Sequence, residues 1–81
     1  MRVAVKLFAG LREELEHREM VVDLPGGARV QDLLQRLAEQ YPVVDTYKAS
    51  LHFAVNRKHA GQQTELHNGD EVALLPPVGG G

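Results

Sequence analysis

The residues of this chain that could do chemistry are few, and the most unusual stand at its C-terminal end, where Val78 runs into Gly79, Gly80 and Gly81. Folding gives no reason for consecutive glycines there, because glycine loses the most backbone entropy on ordering and has no side chain to bury. Sterics does give one. Without Cβ atoms, Gly80 and Gly81 thread a narrow channel and present the terminal carboxylate to attack from almost any direction. Pro76 and Pro77 favour an extended exit that projects the tail from the globule. The tail from Pro76 to Gly81, fully extended, reaches about 20 Å, enough to enter another protein's active site. A terminal carboxylate is ionised and unreactive at neutral pH, so acyl chemistry at Gly81 requires activation. Adenylation by ATP is the direct route. A sulfur nucleophile on another protein would then attack the acyl-adenylate and leave a C-terminal thiocarboxylate. The plain alternative is a loose chain end with no chemistry.

The remaining candidates are weaker. The sequence contains no cysteine, which removes disulfides, thiolate metal sites and any persulfide on a side chain. Sulfur, if this chain handles it, must sit on the backbone terminus. His17, His52, His59 and His67 show no metal-ligand spacing on a common helical face and read as solvated or locally bonded side chains, so no protein-bound metal is expected. Glu13, Glu14 and Glu16 read as the solvated face of a short amphipathic helix. Asp70 and Glu71, after the Asn68-Gly69 turn, either stabilise that turn or meet a basic groove of an activating enzyme. Pro25-Gly26-Gly27 lacks the lysine and full glycine spacing of a phosphate loop. No bound cofactor is expected; ATP would be consumed at Gly81 by a separate enzyme.

These groups need a scaffold, and 81 residues allow a single domain with one modest core, too small for a second lobe that could enclose a substrate. Any enzymatic role is that of a non-autonomous subunit. The formal net charge of -2 and the mixing of acids with bases along the chain disfavour nucleic-acid binding. No apolar run approaches a membrane span, and Met1-Arg2-Val3 opens into alternation instead of a signal peptide, so a soluble, cytoplasmic protein without membrane contact is expected.

Val3, Val5 and Leu7 alternate with Ala4, Lys6 and Phe8, the period of a strand with one buried face. Leu11 and Leu15 fit one or two helical turns. Met20, Val22 and Leu24 resume alternation until Pro25-Gly26-Gly27 turns the chain. Val30, Leu33, Leu34, Leu37, Ala38 and Tyr41 then fall on one face of a main helix that Pro42 stops. Residues 43–50 follow no period, and Leu51, Phe53 and Val55 mark a third strand. A polar connector over Arg57 to Gln63, a short strand near Thr64 to Leu66, the Asn68-Gly69 turn and a final strand over Glu71 to Leu75 complete the chain. The order predicts an α+β domain over residues 1–75, a mixed sheet covered on one face by the main helix, with an extended tail over 76–81. A β-grasp fold fits. Its first and last strands are parallel neighbours in the sheet centre, so Phe8 and Leu75 would lie side by side at the tail's exit. Both fall off the core-facing parity, which makes them a docking patch unless a loop covers them.

Gly69 to Val78 running into Gly80-Gly81, Phe8-Ala9-Gly10-Leu11-Arg12-Glu13 after the first strand, and Ala54-Val55-Asn56 in the third together resemble molybdopterin synthase small subunits, of the ubiquitin-like MoaD/ThiS sulfur-carrier superfamily. The resemblance covers nearly the whole chain. It implies that Gly81 is adenylated by a ubiquitin-activating-type enzyme, charged with sulfur from a donor protein, and inserted into the synthase large subunit. There it would give sulfur to cyclic pyranopterin monophosphate in molybdenum cofactor biosynthesis. Gly80 would supply slimness beside it, and Phe8, Leu75, Pro76, Pro77, Val78 and Gly79 would contact partners. His59 would border the same surface, a polar ring where the family places an apolar contact. A carrier for thiamine-thiazole synthesis or tRNA thiolation, or a ubiquitin-like modifier joined to lysines, would need the same fold and terminus.

Overall fold

The computed structural model describes residues 1–77, so the expectations for Val78, Gly79, Gly80 and Gly81 lie outside the described residues. Alternation becomes strand where one face can be buried. In β1 (Arg2–Leu7), Val3, Val5 and Leu7 are buried while the residues between them are not. In β5 (Glu71–Leu75), Val72 and Leu74 are buried in the same way. The two strands pair in parallel, Leu7 opposite Leu74, and β2 (Glu19–Asp23) adds antiparallel to β1. On the other side β3 (His52–Val55) pairs antiparallel with β5, and β4 (Lys58–Ala60) with β3. The sheet order is therefore β2-β1-β5-β3-β4, with the first and last strands at its centre as expected.

Helices close the sheet on one side. α1 (Ala9–Leu15) buries Leu11 and Leu15, and α2 (Val30–Gln40) buries Val30, Leu33, Leu34 and Leu37. The 3.6-residue spacing of α2 aims these side chains at the apolar face of the sheet, and together with Val3, Val5, Leu7, Phe53, Val72 and Leu74 they form one core cluster. The start of α2 is fixed by Asp32, whose Oδ2 accepts a hydrogen bond from the Arg29 backbone N–H at 2.8 Å. An acidic group in the first turn also meets the positive end of the helix.

Three segments depart from the sequence reading. Residues 43–50 are not irregular: α3 (Val43–Tyr47) and a 3₁₀ turn over Lys48–Ser50 occupy them. Pro42 both ends α2 and begins α3, since its fixed φ suits an entry to a helix as well as an exit. The single buried residue of α3, Val44, is too little for a visible period. The polar connector contains β4, an edge strand whose three residues are exposed or half-buried, so no alternation betrays it. The strand expected near Thr64 to Leu66 reduces to one antiparallel bridge between Arg29 and Glu65; Leu66 nevertheless enters the core.

Turns carry the special backbone. Gly69 takes φ +88°, as the Asn68-Gly69 pair predicts. Asp70 proves to be a turn stabiliser: its Oδ2 accepts from the His67 N–H at 2.8 Å and its Oδ1 from Asn56 Nδ2 at 2.9 Å. The β3–β4 hairpin turns on Asn56 (φ +52°) and Arg57 (φ +69°), both left-handed as a type I′ turn requires. Asparagine tolerates this region, but arginine is strained there by about 1–2 kcal/mol. Arg57→Gly is expected to raise stability by about 0.5–1 kcal/mol, the relief being partly offset by glycine's greater chain entropy. An unchanged or lower urea midpoint would count against that account.

The tail base and the open face of the sheet

The register places the candidate residues relative to one another. β1 and β5 end at the same edge, so Phe8, next after Leu7, and Leu75, next after Leu74, are brought to one end of the sheet. Leu75 is paired in turn with His52 of β3. Phe8 stays extended (φ -132°, ψ 156°) while Ala9 turns sharply with φ +49°, the step by which the chain leaves β1 for α1. Phe8 emerges 40% exposed, one of two large apolar side chains left in solvent among the described residues. Leu75 and Pro76 are half-buried and Pro77 is exposed. The two expected patch residues thus share an end of the sheet and differ in degree: Phe8 is exposed, and Leu75 offers only part of its surface.

From that end a second feature extends across the side of the sheet that, among the described residues, no helix covers. Lys6, Ala73, Ala54 and His59 are consecutive partners across β1, β5, β3 and β4. Paired residues point to the same side of a sheet, so this row of two alanines between a lysine and a histidine lies on the open face. Ala4 and Glu71 are partners in the next row, and Lys6 Nζ lies 3.3 Å from Glu71 Oε2. Val21, paired with Ala4, is 62% exposed at the β2 side. The alanines make the middle of the face low and flat, with Phe8, Leu75, Val21 and the two histidines around it.

His59 is therefore on a strand and on the open face, not in a loose connector, and His52 joins it: their ring centroids are 6.4 Å apart. The pairing of β3 with β4 makes them diagonal neighbours. The sequence signal for His52 was its alternation with Phe53; β4 left none for His59. The other two histidines are engaged elsewhere. His17 meets Tyr41 edge-on at 6.5 Å, and His67 lies 3.7 Å from Glu65 and 3.9 Å from Asp70. Glu13, Glu14 and Glu16 are exposed. Among the described residues no three His, Asp or Glu side chains are grouped to hold a metal ion.

Two further features lie far from the tail base. Arg2 and Asp23, at the opposite end of β1, form an exposed pair with Nε to Oδ1 at 3.0 Å; that hydrogen bond, with the guanidinium charge behind it, holds the Asp23 carboxyl below its ordinary value. A shallow open hollow of about 210 Å³ is lined by Leu24, Pro25, Asp32, Gln35, Arg36 and Glu39, also at that end. Among the described residues no helix is long and apolar enough to cross a membrane.

A mixed sheet with parallel central strands, gripping one long helix, defines a ubiquitin-like β-grasp domain. The chain belongs to the ThiS family, whose model matches residues 5–81. It is 35% identical over 83 aligned positions to the molybdopterin synthase sulfur carrier subunit of Chlamydomonas reinhardtii, covering 100% of both chains. The subunit of the same name from Mycobacterium tuberculosis is also 35% identical, with 100% of this chain and 99% of the relative aligned. Among solved structures, SAMP1 from Haloferax volcanii superposes with a TM-score of 0.90 at 31% identity, covering 100% of each chain.

Proposed function

We propose that this chain is the sulfur-carrier subunit of a molybdopterin synthase and that its reactive group is the Gly81 carboxylate. The observation that carries the reading is the end-to-end similarity to relatives of that name, in a chain whose last strand leads from the centre of the sheet into a glycine terminus. An adenylating enzyme of the ubiquitin-activating type would bind the open face and thread the tail. The Gly81 carboxylate attacks the α-phosphate of ATP and expels pyrophosphate; sulfur from a donor protein then displaces AMP. The thiocarboxylate is a better nucleophile and a softer donor than the carboxylate it replaces. Once it is inserted into the large subunit, its sulfur bonds to a carbon of cyclic pyranopterin monophosphate, and water then cleaves the acyl–sulfur bond, leaving the sulfur on the pterin and Gly81 as carboxylate.

In this reading the chain supplies the carrier and its docking surface, while the acids and bases of catalysis belong to the large subunit. Phe8 and the exposed part of Leu75 dock beside the channel mouth. Burial of an apolar side chain there contributes roughly 1.5–3 kcal/mol. Pro76 and Pro77 hold the exit extended, and Val78, Gly79 and Gly80 thread the partner's channel. No cofactor is held; ATP is spent by the activating enzyme.

The test is reconstitution. Thiocarboxylated chain, mixed with active large subunit and the pyranopterin precursor, is expected to yield dithiolene, and the carboxylate form none. Absence of product from fully charged chain would end the assignment. A second reading has one specific support, the 36% identity to small archaeal modifier protein 1 of Haloferax volcanii. There a lysine amine replaces sulfur as the attacker at Gly81, and slow-migrating adducts that disappear with Gly81 would reveal it.

A further inference from the structure

Charge is not spread evenly over the open face. Residues 46–64 contain Lys48, His52, Arg57, Lys58 and His59 and not one Asp or Glu, although acids outnumber Lys and Arg by 11 to 9 in the whole chain. The fold gathers four of these five on the β3–β4 hairpin, all exposed: His52 and His59 on the open face, Arg57 in the turn, and Lys58, paired with Val55, on the other side of the edge strand. Opposite, at the β2 edge, stand Glu19 and Asp23. Among the described residues no carboxylate lies within 4.0 Å of either imidazole, whereas His67 has two such neighbours and Lys6 is matched by Glu71. The groups facing the pair across the sheet are the neutral Leu75, Ala54 and Ala73, with the Lys6–Glu71 pair beyond them. The cationic ribbon starts at Leu75, the residue next to the tail's exit, and so continues the docking patch.

We infer that His52 and His59 form a carboxylate-reading site at the tail base. The large subunit, on receiving the tail, sets an apolar side chain over Phe8 and Leu75 and an acidic group over the two imidazoles, with Arg57 at the hairpin turn steering its approach. The inference rests on the reading of the chain as a carrier for the large subunit. Two imidazolium rings side by side repel each other in the free chain and are matched only by an anion from outside, so an acidic partner group favours the protonated pair over the neutral one and docking is stronger in acid than in base. Apolar contact at Phe8 supplies adhesion, and the histidines choose between partners.

The experiment measures the affinity of the full chain for the large subunit by calorimetry at pH 6.0 and pH 8.5, at low and high salt. Wild type is compared with His52→Gln, His59→Gln and the double variant, each with its thermal midpoint recorded. Both rings are exposed, so the variants are expected to fold. Wild type is expected to bind at least tenfold more tightly at pH 6.0 than at pH 8.5, and the double variant to lose that difference while matching wild type within twofold at pH 8.5. An equal loss at both pH values would reveal simple packing and overturn the proposal, as would a pH dependence that survives the double substitution. Self-association of the chain abolished by the same variants would assign the ribbon to a second copy instead. No binding of wild type at any pH would sink the carrier reading and this inference with it; wild-type binding with an indifferent double variant sinks the histidine site alone.

Discussion

Deleting Gly80 and Gly81 is expected to reduce sulfur transfer to the pyranopterin precursor at least 1,000-fold and to leave the thermal midpoint within experimental error of wild type. The two halves of that result have separate causes. The core cluster draws its last member from Leu74, and glycines bury no side chain, so stability has nothing to lose. Chemistry loses its geometry: two residues withdraw the terminal carboxylate by about 7 Å, when misplacement of a reacting group by about 1 Å can cost 100-fold. The measurement is single-turnover product formation with the large subunit, preceded by mass-spectrometric assay of charging. Restoring length with Ala-Ala in place of Gly-Gly separates reach from slimness, and a smaller loss relative to wild type is expected to remain because each Cβ widens the segment that the proposed channel would have to admit. Wild-type turnover by the deletion would show that Gly81 does not carry the sulfur.

Leu74→Ala has the opposite profile. Leu74 is fully buried and stands between Leu7 of β1 and Phe53 of β3 in the register, at the crossing of the two central pairings. Truncation removes the burial of its side chain and leaves a cavity that surrounding strands cannot close without losing register, a cost of about 2–5 kcal/mol. In a domain of this size each kcal/mol is worth about 4–8 °C, so the thermal midpoint is expected to fall by about 8 °C or more. Equilibrium urea unfolding tests it, and a loss below about 1 kcal/mol would mean that the core relaxes around the site. Transfer per folded molecule is expected to stay near wild type, because Leu74 faces the helices and not the docking surface.

Period was the legible part of this chain. Where a strand or helix buries one face, as in β1, β5 and α2, the pattern Val3-Val5-Leu7 or Val30-Leu33-Leu34-Leu37 states both the element and its orientation. The same parity placed Phe8 off the core face, and the end-to-end pairing put it near Leu75. What escaped were elements with little to bury: α3, anchored by Val44 alone, and β4, an edge strand held by backbone pairing across a turn of two left-handed residues. Missing β4 hid the position of His59, since a one-residue change of register would have sent its ring to the other face. The clustering of positive charge was present in residues 46–64 but dissolved in a net charge of -2; only the hairpin shows that these residues are neighbours.

The central position of β5 also bears on the order of events when the protein is made. Its partners are β1, nearly seventy residues earlier, and β3, so the two halves of the sheet join only through the strand translated last. A nascent chain lacking residues 71–75 has β1 and β3 with open edges and no centre, and contacts of such long sequence separation form slowly. A chain that stops before Glu71 therefore has two hairpins and no strand to join them, so the sheet on which the exposed face depends is assembled in its last step.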